Sequence, residues 1–175
     1  MKWFIMLLTV LSGIAFTSSP ALAQRDAGSK ARGDIYSFYG SSTYTRHARD
    51  HARLLYQFGQ TREAIPKETV QQHVAEVRRN VDAAKKELAK LKKAKSDDKN
   101  VQKHIAVVEN HFAKCEEMCK MADAAGAKDK PDAKAISDCC ATMSRELDAA
   151  HAEHEKLMKT LGVEKFQEPK TDAAK

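Results

Sequence analysis

Four amphipathic helical segments recur along this chain with only short polar breaks between them, and that recurrence limits its fold more than any other feature. The first reads from about 41 to 60, with Tyr44, His47, His51, Leu54, Leu55 and Phe58 at three-to-four spacing and Ser41 and Ser42 placed as N-caps. Gly59 and Pro66 bracket a turn. The second reads from about 66 to 95, with Pro66 tolerated in its first turn and a stripe of Val70, His73, Val77, Val81, Ala84, Leu88 and Leu91. SDDKN at 96 to 100 is a polar break whose Ser or Asp can cap the third segment. That segment, about 99 to 125, carries Val101, His104, Val108, His111, Cys115, Met118 and Cys119. Gly126 and Pro131 punctuate the next turn. The fourth, about 132 to 161, carries Ile136, Cys140, Met143, Leu147, His151, His154 and Met158, and Gly162 stops it. Helices of this length with short connections pack as an all-α, antiparallel up-down-up-down four-helix bundle.

The chain opens MKWFIMLLTVLSGIAFTSSPALAQ: one basic residue, an apolar run from Trp3 to Phe16, and small residues ending at Ala23. This is the pattern of a secretory signal peptide over residues 1–23, cleaved before Gln24. The apolar run falls short of the ~20 residues that span a bilayer. The expected organisation is therefore a signal peptide, a flexible lead-in over 24–40, the bundle over 41–162 and a loose charged tail over 163–175. The mature protein is expected outside the cytoplasm, periplasmic or secreted, without a transmembrane segment. Removing Lys2 with the signal leaves 29 basic against 24 acidic residues, a net +5. That charge is spread along helix surfaces, as in KKELAKLKKAK at 85 to 95, which reads as a solvated face and gives no nucleic-acid signal.

The anomaly is that histidine and cysteine stand where a bundle core ordinarily takes Leu, Ile or Val. In an antiparallel hairpin, residues share a height when their numbers sum to twice that of the turn's centre. For helices three and four that sum is about 257, which levels Cys119 with 138 to 140, Cys115 with Met143, His111 with Glu146 and His104 with Glu153. The turn near 97 brings His73 within one helical turn of Cys119, and the turn near 63 levels His51 with His73. His47, His51, His73, Cys115, Cys119, Cys139, Cys140, Met118, Met121 and Met143 are thus expected in one part of the bundle. His104, His151 and His154 form a second expected cluster, roughly 20 Å away at ~1.5 Å per residue.

Two chemistries compete for the cysteines. In an oxidising compartment, Cys119 with Cys139 or Cys140, and Cys115 with the remaining one, would make two disulfides between helices three and four. Alternatively, His111, Cys115 and Cys119 project from one helix face at i, i+4 spacing and form a metal site with His73 and a helix-four cysteine. Thiolate, thioether and imidazole donors suit Cu(I) first and Zn(II) next. His47 and His51, four apart, extend the ligand set, and the His104, His151 and His154 group suits Zn(II) or Cu(II). Free, buried thiols are the third possibility.

The signal peptide, the Cys115-Glu116-Glu117-Met118-Cys119 pair and the inward Cys, His and Met residues resemble exported four-helix-bundle copper-storage proteins. The resemblance implies Cu(I) held inside the bundle. Cysteine here occupies two helices only, so one or a few ions are expected in place of high-capacity storage. The Glu-x-x-His pairs of a ferritin-like di-iron site are missing, the nearest pattern being Asp148-Ala149-Ala150-His151, and no C-x-x-C-H haem motif is present. No nucleotide loop or nucleophile-base set stands out. The sequence therefore reads as a non-enzymatic, exported copper- or zinc-binding bundle acting as a buffer, sensor or carrier, with the metal ion as its partner. The alternative is a structural or protein-interaction bundle clamped by two disulfides.

Overall fold

The computed structural model describes residues 20–61 and 65–163, with side chains described from Gly33 onward. Four helices account for almost all of it: α1 (Pro20–Thr61), α2 (Lys67–Ala94), α3 (Lys99–Gly126) and α4 (Ala133–Thr160). Each packs against its neighbours in a closed square, α1 on α2, α2 on α3, α3 on α4 and α4 back on α1. The tightest associations are the two hairpins, α1 with α2 and α3 with α4.

One register governs all four helices. The buried positions run Asp34, Phe38, Ser41, Thr45, Ala48, Ala52 and Leu55 on α1; Val70, Val74, Val77, Val81, Ala84, Leu88 and Leu91 on α2; Val101, Ile105, Val108, Phe112, Cys115, Cys119 and Ala122 on α3; and Ile136, Cys140, Met143, Leu147, Ala150, His154 and Leu157 on α4. Every one of these runs steps by four and three residues in alternation. A strict 3.5-residue repeat holds the buried seam on the partner over many turns, which is the packing of coiled coils.

Local chemistry sets the helix ends. Asp98 accepts from the backbone N–H groups of Asn100 and Val101, capping α3, and Asp132 accepts from that of Ala135, capping α4. Pro66 precedes the first residue of α2 as its N-cap. α4 ends on Gly162 at φ 66°, with Gly162 N–H bonded to the Lys159 carbonyl and Val163 N–H to that of Met158, a Schellman closure. Buried Ile65 closes the bundle under the α1–α2 turn.

One sequence expectation changes. The first helix begins at Pro20, so much of the expected lead-in is helical, and Asp34 and Phe38 continue its buried register. Asp34 is tied to Lys95 at the end of α2, 2.9 Å away. Gly126, the expected stop, is the last residue of α3 and packs against Val70 of α2. The expected signal peptide falls almost wholly on residues 1–19, outside the described residues, as does the expected tail from 164 onward. Among the described residues no helix is long and apolar enough to cross a membrane.

A Cβ at Gly126 would meet Val70 Cγ1 at 2.7 Å, whereas one at Gly33 would meet nothing within 4 Å. Gly126→Ala is therefore expected to lower the unfolding free energy by about 1–3 kcal/mol. Gly33→Ala, in the same assay, is expected to raise it by up to about 1 kcal/mol. Urea denaturation of both variants checks the opposite signs.

Candidate metal site

The heptad register decides which of the unusual residues face the interior. Cys115 and Cys119 occupy consecutive core positions of α3, and Cys140 and Met143 occupy consecutive core positions of α4. Cys139 stands beside Cys140 at the edge of the core, 7% exposed. These residues meet across the α3–α4 seam. Cys119 Sγ lies 3.3 Å from Met143 Sδ, and the Cys115 thiol is hydrogen-bonded to Cys119. Cys119 is also close enough to Cys139 and Cys140 for its charge to act on both thiols.

The four thiols do not share one acidity. Cys119 accepts from Cys115 and feels the Arg78 guanidinium, both of which lower its pKa against the opposing effect of burial. Cys115, the donor of that bond and buried besides, is pushed far up. Burial raises Cys139, and it raises Cys140 to about 12.

All four cysteines are free and buried, so neither of the two expected α3–α4 disulfides is present. Height matching brought Cys119 to the stretch of the α3–α4 seam that holds Cys139, Cys140 and Met143, but facing positions on adjacent helices do not by themselves bring two Sγ atoms to bonding distance.

Five of the seven histidines stand immediately before a core residue: His47 before Ala48, His51 before Ala52, His73 before Val74, His104 before Ile105 and His111 before Phe112. They flank the core and do not enter it. His51 and His73 meet across the α1–α2 seam, Nδ1 to Nδ1 at 3.2 Å. His111 Nδ1 bonds Glu146 Oε2 at 2.7 Å, and His104 Nδ1 bonds Glu153 Oε1 at 2.6 Å, one heptad apart along the α3–α4 seam. Both carboxylates are held below their usual range: the His111 bond is the leading cause at Glu146, and bonds from His104 and Lys156 outweigh burial at Glu153. His47 is exposed.

The expected ligand set is therefore divided. His73 turns toward α1, against His51 and the Phe58 ring, and away from the α3–α4 sulfurs. His111 is engaged by Glu146. The second expected cluster does not converge either. His104 bonds Glu153, His151 Nδ1 lies 3.5 Å from Ser42 Oγ, and His154 alone enters the core. Among the described residues no group of three or more His, Cys, Asp or Glu side chains is arranged to hold a metal ion. Met143, whose thioether touches Cys119, lies outside that set of residue types.

His154 completes the interior in a different way. Its Nδ1–H donates to the Ala150 carbonyl at 2.8 Å, which leaves Nε2 to accept from the Ser41 hydroxyl at 2.9 Å. The rings of Phe38 and Phe112 pack against it. The small core residues of α1 make room for this contact, and they are also why sequence reading missed it. Ser41, Thr45, Ala48 and Ala52 carry almost no hydrophobic signal, so the larger Tyr44, Leu54 and Phe58 mark a different face. The alternating four-three spacing of small residues was the available clue.

No family model, curated protein or solved structure matches this chain.

Burial lowers the His154 pKa to about 4, and burial likewise leads the lowering at His73 and His151. The unfolded chain binds these protons near pH 6.5, so stability is complete above that value and is lost as pH falls from 6.5 toward 4. For His154 alone the loss approaches about 3 kcal/mol. Urea midpoints measured at pH 7 and pH 4.5 should show this fall, and His154→Gln should remove most of the pH dependence.

Proposed function

We propose that this chain is a Cu(I)-binding helical bundle, with Cys115 and Cys119 as thiolate ligands and the Met143 thioether as third donor. It would serve outside the cytoplasm as a copper buffer, sensor or carrier without catalysing a reaction. The observation that carries the reading is the 3.3 Å contact between Cys119 Sγ and Met143 Sδ, with Cys115 on the preceding core position of the same helix. Soft sulfur donors in a closed apolar core select a soft monovalent ion over hard, strongly hydrated ones. Glu116 and Glu146 act electrostatically on Cys115, and the Arg78 guanidinium on Cys119. Cys139 and Cys140 supply further thiols within electrostatic reach of Cys119. Zinc ranks second, because a structural zinc site closes with four ligands. His47, His73, His111 and the His104, His151 and His154 group leave the Cu(I) ligand set.

Loading converts protonated thiols to metal-bound thiolates, so it releases protons and tightens as pH rises. Anaerobic titration of the reduced protein against a chromophoric Cu(I) chelator tests this. One Cu(I) per chain is expected, with about two protons released for two thiols. Cys119→Ser should weaken binding at least tenfold, and Met143→Leu, which conserves core volume, should weaken it less. Undiminished affinity in Cys119→Ser would refute the assignment. The disulfide-clamped structural bundle predicts instead that the exported protein has no titratable thiol and takes up no copper even after reduction.

A further inference from the structure

The His51–His73 contact has no role in the sulfur site, and its geometry is unusual. Two Nδ1 atoms stand 3.2 Å apart, with ring centroids at 5.4 Å and planes inclined at 52°. Two imidazole lone pairs repel at that separation, so a proton on one nitrogen must bridge to the other in the metal-free protein. A metal ion set to one side of the N···N line can replace that proton and be held by both nitrogens. With Zn–N bonds of about 2.0–2.1 Å, two nitrogens on a tetrahedral ion lie about 3.3–3.4 Å apart. The observed spacing therefore needs almost no adjustment.

The surroundings favour such a site. Each ring is only partly buried, so solvent can reach the pair and complete the coordination sphere. The backbone is rigid on both sides, because Ala52 and Val74, the residues next to each histidine, are fully buried core positions. The Phe58 ring packs against His73 and restrains its rotation. Glu76 acts electrostatically on His73 and adds negative charge nearby. Imidazole donors with open solvent positions suit borderline divalent ions, in contrast to the sulfur cluster on the opposite seam.

We propose that His51 and His73 form a second, independent metal site on the α1–α2 seam. It binds a borderline divalent cation, Zn(II) or Cu(II), through the two Nδ1 atoms with solvent completing the shell.

Zn(II) alone is the probe. It is titrated into the reduced full-length chain in competition with a fluorescent zinc chelator, while long-range proton–nitrogen spectra follow the histidine rings. The first equivalent should shift the Nδ1 resonances of both His51 and His73 in the unaltered protein. His51→Ala and His73→Ala should each weaken that equivalent at least tenfold, and Cys115→Ser should leave it within twofold. Absence of the paired Nδ1 shifts, weakening of less than tenfold in the histidine variants, or loss in Cys115→Ser would each overturn the proposal. The ring spectra need no variant, so a misfolded substitution cannot hide the answer. The Cys115→Ser arm separates this site from the sulfur site, and either can fail without the other.

Discussion

The alternation of four- and three-residue steps, kept without a break on all four helices, is the constraint on which everything else in this molecule depends. It fixes which side of each helix turns inward, and so it determines the environment of every reactive side chain. Cys115, Cys119, Cys140 and Met143 fall on the register and are buried. His47, His51, His73, His104 and His111 fall one residue short of it and are left on the flanks. A displacement of one residue on a helix is a rotation of about 100°, enough to take a side chain from the core to the seam.

The result is a separation of donor chemistries that composition does not reveal. Sulfur collects between α3 and α4, where Cys119 and Met143 touch. A hydrogen-bonded imidazole pair lies between α1 and α2. The other flanking histidines of α3 are tied to carboxylates, His104 to Glu153 and His111 to Glu146, and act as interhelical polar contacts. His154 is the exception that enters the core, and it does so neutral, with both ring nitrogens satisfied by Ser41 and Ala150. Longer charged pairs, Lys85 with Glu116 and Lys92 with Glu109, join α2 to α3 on the outside. Two lysines of the basic stretch of α2 are thus engaged by carboxylates of α3.

Much of this was legible in the sequence along the helix axis, and less of it around that axis. Short turns fix heights, so matching residue numbers paired His104 with Glu153, His111 with Glu146 and His51 with His73 correctly. It also brought Cys119 level with Cys139 and Cys140. Rotation depends on which residues are apolar, and that signal is ambiguous when histidine and cysteine share a stripe with valine. On α1 the true core is Ser41, Thr45, Ala48 and Ala52, small residues that permit close approach, and the visible aromatic stripe was misleading. Height alone therefore directs His73 toward Cys119, one turn away, although the structure turns it to the other seam. The early start of α1 was hidden for a similar reason. Residues 24 to 34 are polar and contain glycine, while the anchoring contacts are made by Asp34 and Phe38.

The separation of sulfur from imidazole is the central claim, and the coordination shell of bound copper tests it most directly. Copper K-edge X-ray absorption on the reduced protein carrying one Cu(I) per chain distinguishes the two donor types, because imidazole rings add characteristic outer-shell scattering and sulfur does not. A first shell made of sulfur, with no imidazole scattering, is the predicted result. A shell containing histidine nitrogen would contradict the account, since the flanking histidines, His111 of the α3–α4 seam included, would then not be kept apart from the thiols.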